Sequence, residues 1–182
     1  MKIIDPFCGS GTINAEAAIM GFSTVGSDLN PDFLAGAKKN FQFLSEKFRY
    51  DPEVGEFLVQ DATKFPFETH RGVVVTEGWL GQNFHRRPTD TQIRKNAATV
   101  LMVWEKFFRN LNKQNPDQIK TLAFCLPYWQ AGQQNVSIAK KLFAKISAFG
   151  YHPRALFGGN TTYVYSRPGA FVAREICVVE RK

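Results

Sequence analysis

The chain has 182 residues, 44% of them hydrophobic and 21% charged, the length and balance of one soluble domain able to bury a sizeable core. No window approaches ~18 uninterrupted apolar residues, and the N-terminus lacks the basic, apolar and small-residue order of a secretory leader, so a cytoplasmic protein without membrane association is expected. Lys plus Arg outnumber Asp plus Glu by 23 to 16, and the resulting +7 suits a polyanionic partner without demanding one.

In chain order, residues 2–5 read as a short buried strand, and 12–20 as a helix stopped at Gly21. "FSTVGSDLN" is a strand closing on Asp28. Asn30 then caps a helix with Pro31 in its first turn, and Phe33, Ala37, Phe41 and Leu44 are placed on its buried face. A third strand is expected at 56–60. A fourth lies in "RGVVVTEGWLG", whose three consecutive valines suit a strand covered on both sides.

"TQIRKNAATVLMVWEKFFRNL" is the longest helix, with Trp104, Phe107 and Phe108 at core spacing. The polar connection "RNLNKQNPDQIK" leads to a fifth strand in "IKTLAFCLP", and "NVSIAKKLFAKISAFG" is expected as a further helix. "TTYVYSRPGAFVAREICVVE" gives two strands joined at Pro-Gly. The alternation predicts an α/β fold, mostly parallel with an antiparallel C-terminal hairpin, and residues 1–182 as a single domain.

Cys8, Cys125 and Cys177 are odd in number and lack C-x-x-C spacing, so neither a disulfide framework nor a zinc site is indicated. His70 and His152 have no metal spacing with each other, and His85 reads as a surface residue.

In parallel α/β sheets ligands lie beyond the carboxyl ends of the strands, where strand order reverses. The first strand ends in "DPFCGSG", where Gly9 and Gly11 allow close backbone approach and the following helix turns its free N–H groups toward an anionic group. Asn14 stands where a dinucleotide fingerprint needs its third glycine, and no Gly-Lys-Ser/Thr follows for a phosphate loop. Asp28 nevertheless ends the second strand, the position from which a carboxylate takes both ribose hydroxyls. A nucleoside carrying a carboxylate in place of a pyrophosphate satisfies both features.

"DPFCGSGT" resembles the first motif of the class I amino-methyltransferases that modify exocyclic nitrogens of nucleic-acid bases. Its extension "INAEAA" is most similar to the THUMP-linked tRNA guanosine N2-methyltransferases and their bacterial relatives, and the likeness continues through "VGSDLNP", "VQDAT", "VVVTEGWLG" and "YSRPGAFVAREI". The resemblance implies a Rossmann-like fold, S-adenosyl-L-methionine as cofactor and tRNA as substrate. Asp5 and the loop of Pro6, Phe7, Cys8, Gly9, Ser10 and Gly11 would hold the methionine end. Asp28 would take the ribose, Leu29 would pack on the adenine, and Asp61 with Ala62 would contact its edge.

The fourth strand departs from the family pattern of Asp/Asn-Pro-Pro-Tyr, reading Thr76-Glu77-Gly78-Trp79-Leu80-Gly81. An ungapped register through "VT" and Gly81 puts Glu77 at the acid, while aligning by the aromatic puts Trp79 on the tyrosine and Thr76 on the acid. The first keeps a carboxylate at the reacting nitrogen and is preferred. An exocyclic amine shares its lone pair with the ring, so methyl transfer to it benefits from hydrogen bonds that pyramidalise the nitrogen and from a group that takes its proton. Glu77 suits that role, and an indole face such as Trp79 suits stacking on an extruded base. Just beyond, in "GQNFHRRPTDTQIRK", Arg86 and Arg87 with Arg94 and Lys95 are placed for phosphate contacts. Cys8 reads as a packing residue, and Arg174 with Glu175 as a strand-end ion pair or a functional pair.

Two rivals stand beside guanine N2 in tRNA: methylation of DNA at adenine N6 or cytosine N4, and a non-catalytic module that keeps the cofactor pocket. Met1 precedes Asp5 by only four residues, whereas the resemblance implies a THUMP region and a helical lead-in ahead of the motif. A minimal protein or a catalytic piece is therefore expected, served by an RNA-binding domain in trans or a second subunit.

Overall fold

The computed structural model describes residues 1–114, 117–131 and 134–182. The middle of the polar connection after the long helix, residues 115 and 116, lies outside the described residues.

Strands β1 (Lys2–Asp5), β2 (Ser23–Asp28), β3 (Gly55–Val59) and β4 (Gly72–Thr76) alternate with helices α1 (Thr12–Ile19) and α2 (Pro31–Phe48). Then come α3 (Asp90–Gln114), β5 (Thr121–Ala131), β6 (Gln134–Ser137), α4 (Ala139–Ile146), β7 (Tyr151–Pro153), β8 (Thr162–Tyr165) and β9 (Ala173–Arg181). The sheet runs β3-β2-β1-β4-β5-β9-β7, with β6 paired to β5 and β8 to β9. β1 is parallel to both β2 and β4, so the order reverses at β1. β9 is antiparallel to β5, β7 and β8, the antiparallel finish expected at the C-terminus.

Alternation along the strands assigns the two faces. Val25 and Val74 belong to the main core with Trp104, Phe107 and Leu142 from α3 and α4. The neighbouring Gly26 turns the other way, where a Cβ would lie 2.9 Å from the Asn14 amide nitrogen on α1. α1 and α2 share a small second cluster of Ala15, Ala18 and Phe41. Trp104, Phe107 and Phe108 are all fully buried, as their spacing predicts.

Asn30 caps α2 as expected, its side chain accepting from the Asp32 N–H at 2.9 Å. The buried stripe of α2 is Leu34, Ala37, Phe41 and Ser45, so two of the four expected positions differ: Phe33 is 56% exposed and Leu44 is half-buried. Phe33 and Leu34 stand four and three residues before Ala37, so both fit helical spacing, and the packing of α2 on the sheet decides which is buried.

The helix expected over 135–150 begins late, because residues 134–137 pair with β5 instead. β5 runs on to Ala131 through Pro127, giving Trp129 a strand partner in Val136. Ser137 then closes the strand by accepting from the Ala139 N–H at 3.1 Å. β7 was not anticipated: it has three residues, one of them proline, too short for a periodic signal.

Candidate active site

The β1–α1 loop is pinned before any ligand is considered. Asp5 accepts from the Phe7 N–H at 3.2 Å, and the Ser27 hydroxyl donates to the Pro6 carbonyl at 3.2 Å. The Gly9 N–H donates to Asp28 Oδ2 at 3.1 Å, and the Asn30 N–H donates to Asp28 Oδ1 at 2.8 Å. Gly9 (φ 51°) and Gly11 (φ 77°) occupy left-handed backbone that disfavours a side chain. Gly9 has open space where a Cβ would stand, whereas a Cβ on Gly11 would lie 3.0 Å from Ala37 Cβ. Gly9 is thus the position open to a ligand, and Gly11 serves the close start of α1 against α2.

Two cavities meet along Phe7, which lines both. The first, about 570 Å³, is lined by Asp5, Cys8, Gly9, Ser10, Thr76 and Glu77, with Cys125, Arg167, Arg174 and Ile176 opposite. The second, about 510 Å³, is lined by Pro6, Asp28, Leu29, Phe33, Asp61, Ala62, Trp79 and Lys106. Both lie at the carboxyl ends of β1, β2 and β4, flanking the reversal point.

The second cavity suits a nucleoside. Each Asp28 oxygen accepts one backbone N–H and, with two lone pairs, can take a hydroxyl as well. Asp61 Oδ1 accepts from both the N–H and the hydroxyl of Thr63 at 2.8 Å, which fixes the carboxylate and leaves Oδ2 for a donor on a ring edge. Leu29, Phe33 and Trp79 are exposed or half-buried apolar groups around this space, the lining a flat base needs. Phe33, expected on the buried face of α2, is exposed and adds to this lining.

The first cavity gathers carboxylates. Asp5 is 2% exposed, and burial pushes its carboxyl up to about 7, with Asp28 and Glu77 adding like charge and hydrogen bonds from the Thr76 hydroxyl and Phe7 N–H opposing the rise. A raised carboxyl favours the protonated fold, so its ionisation costs stability increasingly as pH rises from about 4 to about 7. Asp5→Asn therefore raises the melting temperature over the parent by several degrees more at pH 8 than at pH 5, about 2–4 °C for each kcal/mol relieved. Calorimetric melts at both pH values check this; an equal gain at both would place the cost elsewhere. A buried acid retained at such a cost is characteristic of a ligand site.

Arg174 Nε on β9 donates to Glu77 Oε1, joining residues 97 positions apart. Glu175 points the other way and is buried, accepting from the Ser137 hydroxyl at 2.5 Å at the start of α4. Thr76 is buried, its hydroxyl shared between Asp5 and the Gly78 N–H, which donates to it at 3.1 Å. Burial pushes the Cys8 thiol well up and Cys125 up to about 11, so both remain thiols at neutral pH.

The loop after β4 is shaped by glycine where the family pattern has proline. Gly78 has φ 74°, and a Cβ there would come within 2.4 Å of the Trp104 ring. Further on, the Gln82 N–H donates to Asn96 Oδ1 on α3 at 2.9 Å. The turn at Gly78 sends Trp79 to the second cavity, away from Glu77 in the first. Trp79, expected at the target base, thus lines the second cavity. Arg86 and Arg87 are exposed on the 82–88 segment, and Arg87 faces the 169–171 turn.

Strand order, switch point and acid-tipped loops together define the class I methyltransferase fold. NSun6 of Pyrococcus horikoshii, solved with SFG, superposes with a TM-score of 0.68 at 13% identity, covering 100% of this chain and 49% of that one. Magnesium protoporphyrin IX methyltransferase of Synechocystis PCC 6803, solved with bound SAH, gives 0.64 at 14% identity, covering 99% and 73%. Within that fold the chain belongs to the UPF0020 family, the RMKL-like methyltransferase domain, which matches residues 1–101.

Among curated relatives, a tRNA (guanine(10)-N2)-dimethyltransferase of Pyrococcus abyssi is 37% identical over 89 residues, 49% of this chain and 22% of the relative. A protein of the same name from Methanothermobacter thermautotrophicus is 44% identical over 41 residues, 22% of this chain and 12% of that relative. The matched stretch thus spans under a quarter of either relative's length.

Proposed function

We propose that residues 1–182 form one catalytic domain that methylates an exocyclic amino nitrogen of a nucleic-acid base, guanine N2 in tRNA, using S-adenosyl-L-methionine. The observation that carries this reading is the pair of cavities meeting at Phe7, one suited to a nucleoside and the other lined by Asp5 and Glu77. Asp28 holds the ribose hydroxyls, Asp61 Oδ2 accepts from the adenine amino group, and Leu29 with Phe33 and Trp79 encloses the ring. Asp5 faces the methionine ammonium, with Gly9 and Ser10 beside it. When bound, the cofactor supplies a methyl group on a positively charged sulfur, a good leaving group for in-line displacement.

Glu77, oriented by Arg174 on one oxygen, uses the other to hold the acceptor amine and take its proton. Alignment of the amine supplies most of the acceleration, since the reaction needs no covalent intermediate on the protein. The substrate part of the reading rests on the curated relatives and on the net charge of +7.

Incorporation of labelled methyl into unmodified total tRNA and into unmethylated DNA, assayed side by side, tests it. Transfer to tRNA, with the label recovered as N2-methylguanosine, is expected. Transfer to DNA alone would move the substrate to adenine N6 or cytosine N4, and cofactor binding without transfer to either would make the chain a non-catalytic module.

A domain with so modest a charge holds tRNA weakly and loses it steeply as salt rises. Arg86 and Arg87 are assigned to the phosphates, so Arg86→Ala with Arg87→Ala flattens the salt dependence by up to about two units of slope and raises the apparent KM for tRNA. Filter binding across a salt series checks this, and equal slopes would place the RNA path on another face. An RNA-binding domain supplied in trans, or a second subunit, would raise tRNA affinity. A cytoplasmic location accompanies that substrate; among the described residues no helix is long and apolar enough to cross a membrane.

A further inference from the structure

Trp79 lines the nucleoside cavity, so an extruded base beside Glu77 needs a different stacking partner. The strand register supplies one. In antiparallel pairs, residues directly opposite carry their side chains on the same face. Cys125 is opposite Ile176, and Ile176 is opposite Tyr163; Pro127 is opposite Arg174, and Arg174 is opposite Tyr165. Cys125, Ile176 and Arg174 all line the cavity that holds Glu77. Tyr163 and Tyr165 therefore continue the wall of that cavity outward, onto the edge strand β8.

Both rings are available there, Tyr163 being 49% exposed and Tyr165 44%. Phe157 meets Tyr163 edge-on at 6.2 Å between ring centres, which steadies the ring nearer the sheet. Arg167, two residues past Tyr165, lines the same cavity. Two aromatic faces at two-residue spacing, with the Arg167 guanidinium beside them and a second one tied to the reacting carboxylate, match the needs of unpaired nucleotides. An acidic partner would leave the aromatic faces unused, and a purely apolar one the guanidinium groups.

We propose that Tyr165 and Tyr163 form the stacking wall for the extruded base and the nucleotide beside it, with Arg167 on the adjoining phosphate. The inference rests on the RNA methyltransferase reading above and assigns the aromatic function that the fourth-strand motif lacks. On this reading the stacking face comes from the C-terminal hairpin, and the fourth-strand loop with Gly78 and Trp79 need not supply it.

The test compares the parent with Tyr165→Ala, Tyr165→Phe, the double Tyr163→Ala/Tyr165→Ala and Trp79→Ala, using unmodified tRNA transcripts as methyl acceptor and calorimetric titration with S-adenosylhomocysteine. Tyr165→Ala is expected to lower kcat/KM for tRNA about 5- to 150-fold, the loss of one stacked base, with cofactor affinity within about twofold of the parent. Tyr165→Phe retains the ring and keeps most of the activity, and the double variant loses more than the single. Trp79→Ala does the reverse, weakening S-adenosylhomocysteine binding and leaving the KM for tRNA near the parent's.

Both tyrosines are half exposed, so the melting temperature is expected to stay within a few degrees. An active parent whose Tyr165→Ala variant keeps the parental kcat/KM overturns this inference alone. A parent that methylates no RNA overturns the functional reading and this one with it. A dimer by light scattering that Tyr163→Glu breaks without changing tRNA kinetics would assign the tyrosines to a second copy of the chain, and likewise overturns the proposal.

Discussion

Glu77→Gln lowers the turnover of methyl transfer about 100- to 10,000-fold at saturating cofactor, the usual worth of a positioned proton acceptor. The amide is nearly isosteric, but it has one oxygen in place of two, so it loses proton uptake and cannot accept from the amine while it accepts from Arg174. Glu77 accepts from Arg174 across the cavity, and that bond, kept at reduced strength, takes the one oxygen of the amide. Binding of S-adenosylhomocysteine is expected to change far less than turnover: Glu77 shares the first cavity with Asp5, but the contacts proposed for the nucleoside lie in the second. Single-turnover rates on tRNA, paired with calorimetric titrations, separate the two effects. A Glu77→Gln protein as fast as the parent would move the proton acceptor elsewhere, and Thr76 is poorly placed to replace it, its hydroxyl being engaged by Asp5 and the Gly78 N–H.

Asp28→Ala weakens S-adenosylmethionine and S-adenosylhomocysteine by about 1.5–3 kcal/mol, or roughly 10- to 150-fold in Kd, through charged hydrogen bonds to the ribose. The same carboxylate receives the Gly9 and Asn30 N–H groups. The variant thus also releases the loop that has to approach the methionine end, which favours the upper part of that range. The loss belongs to cofactor affinity and not to turnover once the site is filled, because Asp28 lies away from the acceptor amine. Calorimetry on the variant decides it: an unchanged Kd would remove the basis for placing the ribose at the end of β2.

Much of this protein is written locally. The strand, glycine loop and helix of residues 2–20, the Asn30 cap with Pro31, the valine run of β4 and the C-terminal hairpin each depend on neighbouring residues, and all form where the sequence places them. The positions of the acids proposed for the site are legible for the same reason: Asp5, Asp28, Asp61 and Glu77 each lie at or just past a strand's end, where a parallel sheet assembles its site.

What the sequence alone could not determine depends on contacts between distant segments. Phe33 and Leu34 are both apolar and adjacent, and only the angle at which α2 lies on the sheet decides which is buried. Residues 135–137 are expected as the start of a helix, yet β5 runs long enough to recruit them as a strand. The direction of Trp79 depends on Gly78 fitting against Trp104, and the orientation of Glu77 on Arg174, which is far along the chain and adjacent only after β9 joins the sheet. Local propensity and capping act over a few residues, so they are readable in sequence. Which cavity a side chain enters is set by packing between elements, and that is decided only when the sheet is assembled.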